Sequence, residues 1–388
     1  MRLLADNPSL DFLRREAKDL LVALKESDGY ATLSDAQRSL AADYGFRSWS
    51  DLKAEVARRR EAPPVAPEGL DSGLSDAFGL GAVAAMSPLR YEYMGRRWCL
   101  ETQRGRFMVT PVFDWICDTT VEVAVDLMER ARAVGVLAPV AVRTPEGGLV
   151  RRVLDQNWRV DEWIDLGPTP AMPIPSSVAG HLGGLLAAIH SVAPPTDLPI
   201  VGPWVSDRPS QESWVILVES ARAANKPWAD EFAALSRNVE ELSTISATSS
   251  QDSVVISNRD IQPGTVRCGP GDELVVVHWD FSGPMTKEWE LATTLVGSAL
   301  HFDEAARAFM AGYRARAGGD VPELTLDSFA TVITGWLTWA THRACDAIRE
   351  PESPEHADFA ERSLREAMDD PLTVAKLSTL LEAVQTTS

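Results

Sequence analysis

The stretch VVISNRDIQPGTVRC, Val254 to Cys268, decides how the chain is read. An apolar run ends at Ser257, a polar loop follows, and Pro263–Gly264 turns the chain into a second extended run. Asp260 sits in that loop, where a carboxylate can cap backbone N–H groups or accept a proton from a ligand. Another apolar run, LVVV at 274–277, leads straight into His278, Trp279 and Asp280. Two strand ends therefore present titratable side chains, Asp260 and His278, within twenty residues.

Outward from this stretch the pattern divides. Upstream, RRWCLETQRGRFMVTPVF reads as two strands about the turn TQRG, and VEVAVDLMERARAVGV as an amphipathic helix. VRTPEGGLVRRVLDQNWRVDEWIDLG reads as further strands ending near Pro168. From Ser176 the character turns helical: SSVAGHLGGLLAAIHSV is one helix, and the tail from Leu324 is nearly all helix. Strands first and helices after predict an α+β chain, with a sheet-rich lobe at 70–167 and a helical lobe at 168–388. Ahead of these lie a small helical module at 1–60 and a Pro-rich linker at 61–69. In the module, Leu10, Leu13, Ala17, Leu20 and Leu21 share one helical face, Ser34 is the expected N-cap of the second helix, and Gly45 the expected stop. Ser48 is placed to cap a third helix. The pattern LSDAQ…YGF.SW..LK resembles a short helical domain attached to assorted bacterial enzymes, which implies docking or stabilisation through residues 1–60.

The 388 residues allow two or three domains. Lysine and arginine number 37 against 56 acids, a formal charge of −19, which repels nucleic-acid backbones and favours solubility. The start of the chain mixes acids with bases and has no apolar signal segment, and no apolar run is long enough to span a bilayer. The four cysteines, Cys99, Cys117, Cys268 and Cys345, are widely spaced and read as reduced thiols. A cytoplasmic protein with a small-molecule substrate, and with neither nucleic-acid nor membrane partners, is the expectation.

Several segments, in order, resemble the aminoglycoside phosphotransferase/choline kinase family, which implies a bilobal protein-kinase-like fold. WCLETQRGRFMV resembles its nucleotide-lobe hairpin, MERARAVGVLAPV its αC helix, and LGGLLAAIH its first large-lobe helix. NRDIQPGT resembles the HGDLHPGN catalytic loop, VVVHWDFSGP the IDWEDAGP metal loop, and KEWELA the FDLA segment. The family's reaction needs a base, oxygen ligands for Mg²⁺ and a lysine on the phosphates of ATP. The resemblance places the base on Asp260. It places the metal-binding asparagine on Thr265 and the metal-binding aspartate on His278, a poor ligand for hard Mg²⁺. The strand lysine falls on Thr110, its glutamate partner on Glu129, and the phosphate loop on SPLRYEY, which lacks glycine. Arg90, Arg96 and Arg97 are candidate cations for Glu129. Trp336, Trp339 and Arg343 are spaced along one helix and could line a substrate site; core packing is the alternative for the tryptophans.

Three readings follow. In the first, the fold keeps Asp260, with His278 as a core residue or a paired acid, and works without ATP or Mg²⁺. Asp260 would then deprotonate a phosphate- or sulfate-activated small molecule in elimination or cyclisation, as in natural-product biosynthesis. In the second, an ATP-dependent small-molecule or antibiotic kinase uses Asp280 and Thr265 as substitute metal ligands. In the third, a non-catalytic pseudokinase binds a partner or ligand.

Overall fold

The computed structural model describes residues 10–27, 32–44, 46, 48–50, 52–53, 55–56, 65–92, 95–112, 121–202, 204–245, 253–269, 273–349, 364–365 and 367–385. Contacts divide the chain into two compact units: 1–113 with 141–163, and 114–140 with 164–388.

The first unit opens with helices α1 (Leu10–Ser27) and α2 (Leu33–Asp43). Leu13, Ala17, Leu40, Ala41, Tyr44, Leu52 and Val56 form a core of their own, and the Tyr44 hydroxyl donates to Glu16 (2.9 Å). The N-cap of α2 is Thr32, not Ser34. Its hydroxyl accepts from the Asp35 N–H (3.3 Å), and the Asp35 carboxylate accepts from the Thr32 N–H (3.0 Å). This box satisfies the Thr32 and Asp35 N–H groups reciprocally and sets the Asp35 carboxylate at the positive end of the helix dipole. Gly45 and residues 57–64 of the linker region lie outside the described residues.

Helix α3 (Leu70–Phe78) then covers a six-stranded sheet. Its strands are β1 (Val83–Glu92), β2 (Gly95–Thr102), β3 (Gly105–Val112), β4 (Ala141–Val142), β5 (Arg151–Val153) and β6 (Gln156–Glu162), in the order β1-β2-β3-β6-β4, with β5 also on β6. The β2–β3 hairpin turns at the residues expected, with Thr102 opposite Gly105. Because side chains alternate across a sheet, Trp98, Leu100, Phe107, Val109, Trp158 and Val160 meet Leu70, Leu74 and Phe78 of α3 on one face. The intervening residues, Arg97, Thr110, Arg159 and Asp161, are also buried. Arg159 pairs with Asp161 at 3.3 Å.

The second unit contains α4 (Val121–Ala133), α5 (Ser176–Val192), α6 (Gln211–Ala223), α7 (Ala229–Ala234) and α8 (Ser236–Ser243). Strands β7 (Val254–Ser257), β8 (Val266–Cys268), β9 (Leu274–Val276) and β10 (Gly283–Thr286) follow. Helices α9 (Lys287–Ala299), α10 (Asp303–Ala317), α11 (Ala330–Ile348) and α12 (Val374–Gln385) complete it. The strands form two antiparallel pairs, β7 with β10 and β8 with β9. Helices α5 and α10 approach through bare glycine. A Cβ on Gly183 would lie 2.0 Å from the Phe309 carbonyl oxygen, and one on Gly312 would lie 2.0 Å from that of Gly180. No helix among the described residues is long and apolar enough to cross a membrane.

Candidate active site

The loop 258–265 leaves β7 and enters β8, and its shape is set by side chains that the sequence left uninterpreted. Asn258 is fully buried. Its Oδ1 accepts from the Asp260 N–H (3.0 Å) and its Nδ2 donates to the His278 carbonyl (2.8 Å). One amide therefore ties the backbones of both titratable residues together. Arg259 takes a left-handed conformation, φ +65°, where the matched motif has glycine; for a side-chain-bearing residue this costs roughly 1 kcal/mol. Its guanidinium offsets the strain: Nε donates to the Phe281 carbonyl (2.6 Å), and the group lies so close to Gly283 that a Cβ there would be 2.5 Å from Nη2.

Beneath the loop is a buried relay. The Arg259 N–H donates to Glu290 Oε1 (2.6 Å), and Glu290 Oε2 lies 2.7 Å from His190 Nε2. His190 Nδ1 lies 2.7 Å from the Tyr313 hydroxyl. The carboxylate accepts from Nε2–H, and the Tyr313 hydroxyl is the partner of Nδ1. Burial, then the charges of Glu290 and Asp320, push the Tyr313 phenol up, so the hydroxyl keeps its proton. Burial alone would raise the Glu290 carboxyl. The hydrogen bond and charge of His190, the Arg259 N–H and the Ser257 hydroxyl outweigh it and hold Glu290 below its ordinary value. The linkage sign follows: a depressed carboxyl contributes stability above its unfolded value of about 4.3, lost as pH falls through the lower folded value. Acid unfolding monitored by tryptophan fluorescence should therefore show loss of stability below about pH 4 that is smaller in Glu290→Gln. Tyr313→Phe should cost about 1–3 kcal/mol in urea unfolding, because the buried Nδ1 loses its hydrogen-bond partner.

Asp260 and His278 are brought together. His278 Nδ1 is 3.4 Å from Asp260 Oδ2, with both side chains about one-fifth exposed, 20% and 19%. The other oxygen of Asp260 accepts from Gln262 Nε2 (3.3 Å). Thr265 turns inward: its hydroxyl donates to the Asp260 carbonyl, lies 3.1 Å from the Gln262 carbonyl, and accepts from the Gln262 N–H (3.0 Å). It closes the loop. Asp280 stands half-buried in the turn after Trp279. Among the described residues no three His, Cys, Asp or Glu side chains converge as a metal-ligand set.

The remaining sequence candidates have surroundings of their own. Thr110 is buried in β3 of the first unit, opposite Arg159, and its hydroxyl has no hydrogen-bond partner among the described residues. Glu129 is on the exposed side of α4. Arg96 donates to the Leu89 carbonyl (3.0 Å), and the Arg90 side chain lies outside the description. The run matched to a phosphate loop is extended strand through Glu92, with a register shift between Pro88 and Tyr91. Trp336 is stacked on Trp214 (6.4 Å), and Arg343 pairs with Asp346 (3.1 Å).

No protein-family model and no curated protein matches the chain. Solved structures do. Spectinomycin phosphotransferase, in complex with ADP and spectinomycin, is 14% identical with a TM-score of 0.58, covering 82% of this chain and 99% of that one. An aminoglycoside phosphotransferase from Alicyclobacillus acidocaldarius subsp. acidocaldarius is 13% identical with a TM-score of 0.54, covering 84% and 98%. The chain has the aminoglycoside phosphotransferase fold. On that fold, the residues missed by the sequence reading are Asn258, Glu290 and His190. Glu290 lay between Trp289 and Leu291, and His190 ended an apolar helix; an isolated charge in such company was the available signal.

Proposed function

We propose that this phosphotransferase-fold protein is a small-molecule enzyme whose proton-transfer centre is the Asp260–His278 pair. The observation that carries it is the placement of the imidazole against the carboxylate, Nδ1 to Oδ2 at 3.4 Å. Asp260 accepts a proton from a substrate O–H or N–H. That atom's lone pair forms a new bond to carbon as the C–O bond to a phosphate or sulfate breaks. The leaving group departs with the bonding pair, and in the elimination variant the proton comes instead from a C–H. His278 stabilises the developing charges and can pass a proton to the leaving oxygen.

The donor set supports a reaction without Mg·ATP. Mg²⁺ prefers an octahedron of oxygens. Here one matched ligand is an imidazole, and the Thr265 hydroxyl is committed to the loop's own backbone. With Thr110 in place of the lysine, the cation on the phosphates is also missing from its matched position. Calorimetry should detect no micromolar, magnesium-dependent ATP binding.

A second reading, an ATP-dependent small-molecule kinase, is favoured by one observation: a structure sharing this fold holds ADP and spectinomycin. It requires Asp280 and Thr265 to ligate the metal. Magnesium-dependent ATP binding in the same titration would select it. Absence of both ATP binding and turnover on phosphate and sulfate esters would select a ligand- or partner-binding role.

A further inference from the structure

The loop residue with no role so far is Gln262, and three contacts bear on it. Its backbone N–H is pinned by the Thr265 hydroxyl (3.0 Å). Its side chain lies over Gly297 of α9, where an added Cβ would meet Gln262 Cβ and Oε1 each at 3.4 Å. Its Nε2 donates to Asp260 Oδ1 (3.3 Å) while His278 stands at Oδ2. Gly297 is exposed on its helix, a position where glycine costs about 1 kcal/mol relative to alanine, and the space it leaves is the space Gln262 uses.

We propose that Gln262 is a positioning residue for the catalytic carboxylate, clamping Asp260 from the side opposite His278, with Gly297 as its berth. This rests on Asp260 being the base. A carboxylate on a loop otherwise turns freely about its last torsion. A donor on one oxygen and an imidazole on the other fix its plane, so that one lone-pair direction is presented to the substrate. Gln262 is exposed, so its replacement leaves the core untouched.

The test uses the full chain and needs no substrate. A water-soluble carbodiimide with glycinamide labels carboxyl groups whose oxygens are free to attack it, and peptide mass spectrometry reads the rate at Asp260 at fixed pH near 6. Gln262→Ala should raise that rate about threefold or more. Gln262→Glu, which keeps the shape but has no donor for Oδ1, should raise it as well. Gly297→Leu should also raise it, by displacing the amide without removing it. Unchanged labelling in all three variants overturns the proposal. So does an increase in Gln262→Ala with wild-type labelling in Gln262→Glu, which would make shape and not the hydrogen bond the cause. The functional reading is judged separately, by turnover. If Asp260→Asn keeps full turnover while the Gln262 variants raise labelling, the base assignment falls and the clamp stands.

Discussion

Asp260→Asn is expected to lower turnover by about 10²–10⁴-fold, the usual worth of general-base assistance. The amide has the shape of the carboxylate and can still accept from Gln262. It cannot take a substrate proton. The backbone contacts that shape the loop do not involve this side chain: Asn258 binds the Asp260 N–H, and Thr265 the Asp260 carbonyl. The melting temperature and the binding of a substrate analogue should therefore stay close to wild type, which separates loss of chemistry from loss of fold. His278→Ala should cost as much, because the imidazole works as the paired acid; a small loss would show that it only packs and would remove it from the pair. Asp260→Asn at full activity would remove the proton-transfer centre altogether.

The largest effect on stability is expected where α5 and α10 touch. Gly183→Ala and Gly312→Ala each introduce a methyl group 2.0 Å from a backbone carbonyl oxygen, far inside van der Waals contact. No rotamer change relieves a clash between a Cβ and backbone, so the helices must separate. That separation pulls at the His190–Tyr313 and His190–Glu290 bonds, which join α5 to α10 and α9. Overpacking typically costs about 1–3 kcal/mol, and backbone contact plus a disturbed buried network should take these variants to roughly 4 kcal/mol or more. Urea unfolding measures the loss. Gly184→Ala is the control, since its Cβ would stand an ordinary 3.6 Å from the Gly312 carbonyl oxygen.

These residues also show what a sequence can carry. The β2–β3 hairpin and the helix Ser176–Val192 were legible because period-2 and helical patterning are local. The order of matched segments carried the fold across more than two hundred residues. The approach of Gly183 to Phe309 was not legible, because a glycine on a helix looks like a defect until its partner is known. The relay from Arg259 through Glu290 and His190 to Tyr313 joins residues up to 123 apart in the chain, and no local pattern links them. Asp260 and His278 were both read as titratable ends of strands. Their pairing depends on Asn258, whose amide looks like a loop residue in the sequence and acts as a buried brace. Thr265 was read by its position in a metal motif, but its hydroxyl turns to the backbone of its own loop.

The most direct measurement is release of inorganic phosphate or sulfate from small-molecule esters that carry a neighbouring hydroxyl, amine or acidic C–H. It is made without nucleotide, in EDTA, with wild-type protein and Asp260→Asn side by side. The predicted result is release by the wild type that needs neither ATP nor Mg²⁺ and falls by at least about a hundredfold in the variant. Phosphoryl transfer from ATP to an acceptor, strictly dependent on Mg²⁺ and with no ester turnover in EDTA, would contradict it.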